Sequence, residues 1–146
     1  MLKLMFLCTG NSCRSQMAEG FAKELGKGMI EAYSAGLYPV GVNSYAIKVM
    51  REKGIDISGQ TSDLIDIELL NKMDLIITLC GNAEAQCPAT PTHIKRLHVP
   101  IVDPIGTVGS EEKIMNEFRR ARDEIREKIV ELIDNIKKAP QDEGLR

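Results

Sequence analysis

A chain of 146 residues is the size of one ordinary domain, long enough to bury a core but too short for two independent ones. Apolar residues make up 43% and charged residues 27% of it, and a formal net charge of -2 offers no general attraction for nucleic acid or an anionic membrane. The apolar start at 2–7 is too short for the hydrophobic part of a signal peptide, and no stretch approaches transmembrane length. We therefore expect one cytoplasmic, monomeric domain over 1–146, with a frayed tail at 140–146 and no nucleic-acid or membrane partner.

Strands and helices alternate along the first part of the chain. The nearly continuous apolar run at 2–7 predicts a parallel strand that is covered on both faces. After a polar loop, apolar residues at helical spacing within 16–25 predict a helix, and 30–35 predicts a second strand. Asn43 or Ser44 is placed to cap the helix that follows.

The remaining elements continue this alternation. The segment 74–80 has the strongest strand pattern in the chain, and 94–99 together with 101–102 predicts a further strand. A long amphipathic helix is predicted over 111–138. We therefore predict an α/β fold, a single-domain three-layer sandwich in which helices flank a central parallel four-stranded sheet with right-handed crossovers.

Three residues capable of chemistry follow predicted strands: Cys8, Cys80 and Asp103. In open parallel sheets, ligands bind beyond the carboxyl ends of the strands. We therefore expect these three side chains to gather at one edge of the sheet.

The four cysteines are Cys8, Cys13, Cys80 and Cys87. Because reducing compartments keep thiols open, a structural disulfide framework is not expected in a cytoplasmic protein. Four residues separate the first pair and six the second, whereas zinc sites favour closer pairs. Catalytic or redox roles are the leading interpretations.

The segment from Cys8 to Arg14 predicts an anion-binding loop, because it lies between an apolar strand and an amphipathic helix. Small residues such as Gly10 and Ser12 allow backbone N–H groups to point inward, and the start of a helix adds partial positive charge. The arginine presents a planar fork to two anion oxygens. The same donors stabilise negative charge on the Cys8 sulfur, to which Ser15 can donate a hydrogen bond. The alternative is a buried cysteine beside an unrelated arginine, since the spacing alone is common.

This loop carries a resemblance to a known family. The run from Cys8 to Ser15 resembles the phosphate-binding loop of low-molecular-weight tyrosine phosphatases and of the arsenate reductases related to them. The segments that resemble the reductase branch are 16–20, 33–36, 54–58 and 60–63. The similarity covers nearly the whole chain. It implies that the oxyanion is bound by Thr9, Gly10, Asn11, Ser12, Cys13, Arg14 and Ser15.

Two further cysteines favour the reductases over the phosphatases. A phosphatase has no use for extra thiols that can trap its nucleophile in a disulfide. Cys80 and Cys87 flank small and polar residues, and the segment 81–91 is expected to rearrange easily. The resemblance implies a relay in which Cys8 attacks arsenate and Cys80 then forms a disulfide with Cys8. Cys87 next attacks Cys80, which frees Cys8 and leaves a Cys80–Cys87 disulfide for thioredoxin to reduce. The alternatives are a buried apolar thiol for Cys80 and an idle surface thiol for Cys87.

Asp103, followed by a proline, resembles the general acid of this family. Ile105 stands where the phosphatases usually carry aromatic residues, which favours a small inorganic oxyanion: arsenate as substrate, with phosphate or sulfate as competitors. Two alternatives stay open. One is a phosphatase acting on phosphotyrosine or a small phosphate ester, with Cys80 and Cys87 as redox protection. The other is a non-catalytic oxyanion sensor.

No organic cofactor is expected, but some members of the family bind potassium. The resemblance implies that its ligands are hard oxygen donors on four residues: Asn11, Glu19, Ser34 and Asp63. The alternative is that these side chains brace the loop or belong to the surface. His93 and His98 are interpreted as structural or exposed, because nothing near them in sequence resembles a ligand set.

Overall fold

The computed structural model describes residues 1–138, and its centre is a parallel sheet with the strand order β2-β1-β3-β4. The strands are β1 (Leu2–Cys8), β2 (Ile30–Gly36), β3 (Leu75–Thr78) and β4 (Lys95–His98). The helices are α1 (Arg14–Leu25), α2 (Ser44–Arg51), α3 (Ile67–Leu70), α4 (Gly81–Gln86) and α5 (Glu111–Lys138).

Strand β1 lies at the centre of the core, because a strand pairs with it on each side. Leu7 lies opposite Ala35 of β2 and opposite Thr78 of β3. Met5 and Phe6 point to opposite faces of the sheet, and each is only 1% exposed. Both faces are therefore covered, which is the environment that a continuous apolar run requires.

The long helix α5 packs against α1 and α2. Its apolar stripe buries Phe118 and Ile125, and the Phe118 ring lies 5.2 Å from the ring of Tyr45 in α2. The predicted cap of α2 is Asn43, whose side-chain oxygen accepts the N–H groups of Tyr45 at 2.8 Å and Ala46 at 3.1 Å.

The predicted α/β fold with a central parallel four-stranded sheet is confirmed. The strand predicted at 101–102 is wrong: the chain is irregular after β4, although the N–H groups of Val99 and Ile101 still donate to the carbonyls of Thr78 and Leu79, at 2.9 and 3.1 Å. The segment 81–91 contains the short helix α4, which the sequence pattern does not predict. The predicted frayed tail at 140–146 lies outside the described residues. No helix within 1–138 combines the length and apolar character that crossing a bilayer requires.

Candidate active site

The loop between β1 and α1 turns its carbonyl groups outward. The carbonyl oxygens of Thr9, Gly10 and Ser12 accept backbone N–H groups of the segment 38–43 at 2.9, 3.1 and 2.9 Å. In a trans peptide the N–H points opposite to the carbonyl, so the N–H groups that follow these carbonyls point away from that segment. They therefore face the interior of the loop, where successive N–H groups form a cradle for an anion.

Asn11 holds the middle of the loop in a left-handed conformation, with φ of 45°, which is costly for most residues other than glycine. Its side-chain oxygen accepts the Asp63 N–H at 2.7 Å, and its nitrogen donates to the hydroxyls of Ser15 at 2.8 Å and Ser34 at 2.9 Å. Gly36 at the end of β2 packs directly against it: a Cβ there would lie 2.7 Å from the Asn11 nitrogen. The loop shape therefore depends on residues from two other parts of the chain.

Cys8 is the candidate nucleophile at the base of this loop, and it is 3% exposed. Its sulfur lies 2.9 Å from the Ser15 hydroxyl oxygen. Because Asn11 already donates to that oxygen, the Ser15 O–H is free to donate to sulfur. The hydroxyl, the cradle of N–H groups and the start of α1 all stabilise negative charge at this position.

Arg14 links the loop to the candidate acid. The Arg14 Nη1 donates to the Ile101 carbonyl at 2.9 Å, and Nη2 lies 3.3 Å from the Asp103 carboxylate. The arginine side chain is 10% exposed and the aspartate side chain 44% exposed. The ion pair therefore joins a buried guanidinium to a carboxyl group that solvent reaches. Cys80 and Asp103 both lie against the loop, as expected, although Asp103 follows an irregular segment and not a strand.

Cys13 also lies in the loop, but its thiol is not suited to nucleophilic attack. Burial raises the pKa of Cys13 far above its ordinary value, and the charges of Asp103 and Cys8 raise it further. The thiol therefore stays protonated, in keeping with a packing role.

Cys80 lies at the first turn of α4, against the anion loop. Its sulfur is 3.2 Å from the Thr9 hydroxyl and accepts the Ala83 N–H at 3.4 Å. The residue is buried, at 8% exposure. The structure thus brings a second thiol to the rim of the loop that begins at Cys8.

Cys87 lies at the other end of α4 and is partly exposed. Burial raises the pKa of the Cys87 thiol, the Arg96 guanidinium opposes that shift, and the Glu84 carboxylate adds to it. Arg96 also donates to the carbonyl of Pro88 at 3.2 Å, so its position beside the thiol is fixed. Cys87 rests as a thiol within reach of solvent.

The four predicted potassium ligands lie together, but their polar atoms bind one another. Ser34 donates to Glu19 at 2.5 Å, and Asn11 turns its nitrogen, not its oxygen, toward Ser34. The ammonium of Lys23 lies 2.5 Å from the other Glu19 oxygen. Asp63 binds Asn11 through its backbone N–H. As arranged, these residues do not offer a ring of free oxygens that fits a potassium ion, and potassium binding stays a prediction.

Three residues of this site are not among the functional residues predicted from the sequence: Gln16, Gly36 and Arg96. The Gln16 amide donates to the carbonyls of Asn11 and Thr61, each at 2.9 Å, and so ties the loop to a distant segment. Gly36 and Arg96 act through contacts that only folding creates. A glycine at the end of a strand, next to a tight loop, is the only one of these features that sequence reasoning can find.

Comparison with known proteins agrees with this geometry. The family model described as low molecular weight phosphotyrosine protein phosphatase matches residues 3–142. An arsenate reductase of Bacillus subtilis (strain 168) is 51% identical over 134 residues, which cover 92% of this chain and 96% of that protein. An arsenate reductase of Bacillus licheniformis is 55% identical over 126 residues, which cover 86% and 91%.

Solved structures show the same relationship. A structure described as an arsenate reductase in the oxidized state has 40% identity and a TM-score of 0.76, covering 92% of this chain and 98% of that one. The low molecular weight protein tyrosine phosphatase from T. tengcongensis has 27% identity and a TM-score of 0.75, covering 92% and 99%. The resemblance seen in the loop is confirmed: the chain belongs to the low molecular weight phosphotyrosine protein phosphatase family, in which it is similar to the arsenate reductases.

Proposed function

We propose that this chain is an arsenate reductase that forms arsenite through Cys8, Cys80 and Cys87. One observation carries the proposal: the Cys80 sulfur lies 3.2 Å from the Thr9 hydroxyl, against the loop that begins at Cys8. A thiol in that position can attack a sulfur that has reacted inside the loop. The similarity to proteins named arsenate reductase supports the same substrate.

The first step is attack of the Cys8 thiolate on the arsenic of a bound arsenate. The N–H groups of the loop and the Arg14 guanidinium hold the oxygens and neutralise their charge. An As–S bond forms and an As–O bond breaks. Asp103, 3.3 Å from Arg14, protonates the departing oxygen, which leaves as water. A general acid is needed here because the unprotonated oxygen is a strongly basic leaving group.

The second and third steps move electrons between sulfurs. The Cys80 thiolate attacks the Cys8 sulfur, an S–S bond forms, and the electron pair of the As–S bond stays on arsenic, which leaves as arsenite. The two thiols have then supplied two electrons. Cys87 next attacks Cys80, so that Cys8 leaves as a free thiolate and the disulfide joins Cys80 to Cys87.

This relay requires α4 to open. An α-helix rises about 1.5 Å per residue, so Cys80 and Cys87 at the two ends of α4 lie about 10 Å apart along its axis. A disulfide requires Cα atoms about 4.4 to 6.8 Å apart. The helix has six residues, and helices of this length are stable only through their tertiary contacts. Opening is therefore a modest rearrangement.

The remaining parts of the proposal concern partners. Thioredoxin reduces the Cys80–Cys87 disulfide, in keeping with the partial exposure of Cys87. Phosphate and sulfate compete with arsenate, because the cradle recognises a tetrahedral oxyanion. The monomeric state and the cytoplasmic location stay predictions.

Mass spectrometry of alkylated protein after one arsenate turnover tests the relay. We expect Cys87→Ser to accumulate a Cys8–Cys80 disulfide, and the intact protein to accumulate Cys80–Cys87. Protein treated in the same way without arsenate is the control. Arsenite release from a protein that forms neither disulfide would contradict the relay.

A phosphatase is the second candidate, because Tyr38 lies beside the loop, is 65% exposed and offers a surface to an aryl group. Hydrolysis of an aryl phosphate needs Cys8 but not Cys80, whereas arsenate reduction needs both. The phosphatase is the better assignment if the wild-type protein does not reduce arsenate and hydrolyses an aryl phosphate with a high kcat/KM that is unchanged in Cys80→Ser. A sensor predicts oxyanion binding that survives Cys8→Ser, with no turnover in any variant.

A further inference from the structure

Glu84 lies in the middle of α4 and reaches back to the sheet. Its carboxylate accepts the Thr78 hydroxyl at 2.8 Å and lies 3.3 Å from the His98 Nδ1. Thr78 and His98 are direct partners in the register of β3 and β4, and their side chains contact each other at 2.9 Å. These three side chains, which we call the Glu84 latch, tie α4 to the ends of two strands.

The same face of β4 holds the chain on both sides of Cys87. Side chains two residues apart on a strand share a face, so Arg96 and His98 point the same way. Arg96 donates to the Pro88 carbonyl at 3.2 Å, just after α4, while His98 holds Glu84 within it. The helix is therefore docked on the sheet edge and not merely adjacent to it.

The latch matters because a six-residue helix has little stability of its own. Its internal hydrogen bonds, such as the one from the Glu84 N–H to the Cys80 carbonyl at 3.1 Å, persist only while the helix stays docked. Besides the latch, the buried Ala83 side chain anchors it. A change at Glu84 should thus alter how often α4 opens without disturbing the core.

The folded helix also restrains Cys87. Burial is the largest cause that raises the pKa of the Cys87 thiol; the Arg96 guanidinium lowers this pKa and the Glu84 carboxylate raises it. When α4 opens, Cys87 leaves this partly buried position and gains the freedom to approach Cys80.

We propose that Glu84 is a positioning residue that, with Thr78 and His98, holds α4 folded and sets the rate at which Cys87 attacks Cys80. This inference rests on the relay proposed above. It assigns a function to His98, which the sequence leaves as structural or exposed. Glu84 touches no reacting atom of arsenate and acts only through the helix that carries the two thiols.

Amide hydrogen exchange of the reduced protein, without arsenate, measures the opening of α4 directly. The Glu84 and His98 side chains are both more than a third exposed, so solvent weakens their interaction and its loss has a modest effect. We expect Glu84→Ala to speed amide exchange at 83–87 by about threefold to tenfold and to leave exchange in β1 unchanged. Alanine raises helix propensity, so faster opening cannot come from propensity. Glu127→Ala, at an exposed position of α5, is the matched control, and Thr78→Ser, which keeps the hydroxyl, should exchange like the wild type.

The relay is then followed by quenching one arsenate turnover with an alkylating agent. We expect Glu84→Ala to convert the Cys8–Cys80 disulfide into Cys80–Cys87 faster, by the same factor as the exchange. Wild-type exchange in Glu84→Ala would overturn the latch. Faster amide exchange without faster conversion of the Cys8–Cys80 disulfide into Cys80–Cys87 would overturn the proposal that the Glu84 latch controls the attack by Cys87. If exchange quickens but no protein forms Cys80–Cys87, the proposed function fails and the rate-setting role with it, while the docking contact stands.

Discussion

Replacing Gly36 by alanine tests whether the anion loop needs the close approach of β2. The added Cβ would lie 2.7 Å from the Asn11 nitrogen and 2.9 Å from both the Asn11 Cβ and the Thr9 oxygen. Ordinary van der Waals contact begins near 3.4 Å, so the loop backbone must retreat by about 0.7 Å. Two of the three atoms belong to the backbone, and no side-chain rotation relieves the clash.

The expected losses follow from that displacement. Misplacing a reacting group by about 1 Å costs about 100-fold in rate, so we expect Gly36→Ala to lower arsenate kcat/KM by about 10- to 100-fold. Overpacking should also reduce the free energy of unfolding by about 1 to 3 kcal/mol. Arsenate turnover and urea unfolding measure these two losses. Titration calorimetry with phosphate measures a third, because the displaced loop should also bind an oxyanion more weakly.

Gly59→Ala is the matched control, because a Cβ at Gly59 meets no atom within 4 Å. We expect it to change stability by no more than about 0.5 kcal/mol and to leave phosphate affinity unchanged. If Gly36→Ala lost stability but bound phosphate as tightly as the wild type, the loop geometry would not depend on this contact, and the reasoning would be refuted.

Three further predictions concern charge. A hydrogen bond from Arg119 is the main cause that lowers the pKa of Glu52 from 4.5 to about 2. The ionised Glu52 therefore stabilises the fold above pH 4.5, and this stabilisation is lost as the pH falls toward 2. The difference in urea midpoint between the wild type and Glu52→Gln should close over that range. A constant difference would contradict this. Arg96→Met should raise the pKa of Cys87 further and slow its alkylation at neutral pH about threefold to tenfold, with recovery at higher pH; equal rates at every pH would rule out the guanidinium effect. Lys23→Met removes the ammonium beside the predicted potassium ligands. The Tm in potassium should then exceed the Tm in sodium at equal ionic strength by more than it does in the wild type. An unchanged difference in Tm would show that potassium and the Lys23 ammonium do not compete.

Much of the candidate site was predictable because its main residues lie close together in the sequence. Cys8 and Arg14 lie within one strand, loop and helix, and their spacing together with the apolar run before them indicates an anion loop. The strand before Cys80 is visible in its apolar pattern. Helix α4 is not, because six residues of mixed propensity become helical only when Ala83 is buried against the sheet.

The sequence by itself determined the alternation of strands and helices, the anion loop and the presence of thiols after two strands, since periodicity and spacing are local properties of a chain. The tertiary structure alone decided that Glu84 meets His98 and that Gly36 lies against Asn11. Such contacts join residues far apart in the chain, and they depend on the order and register of the strands, which no local pattern specifies.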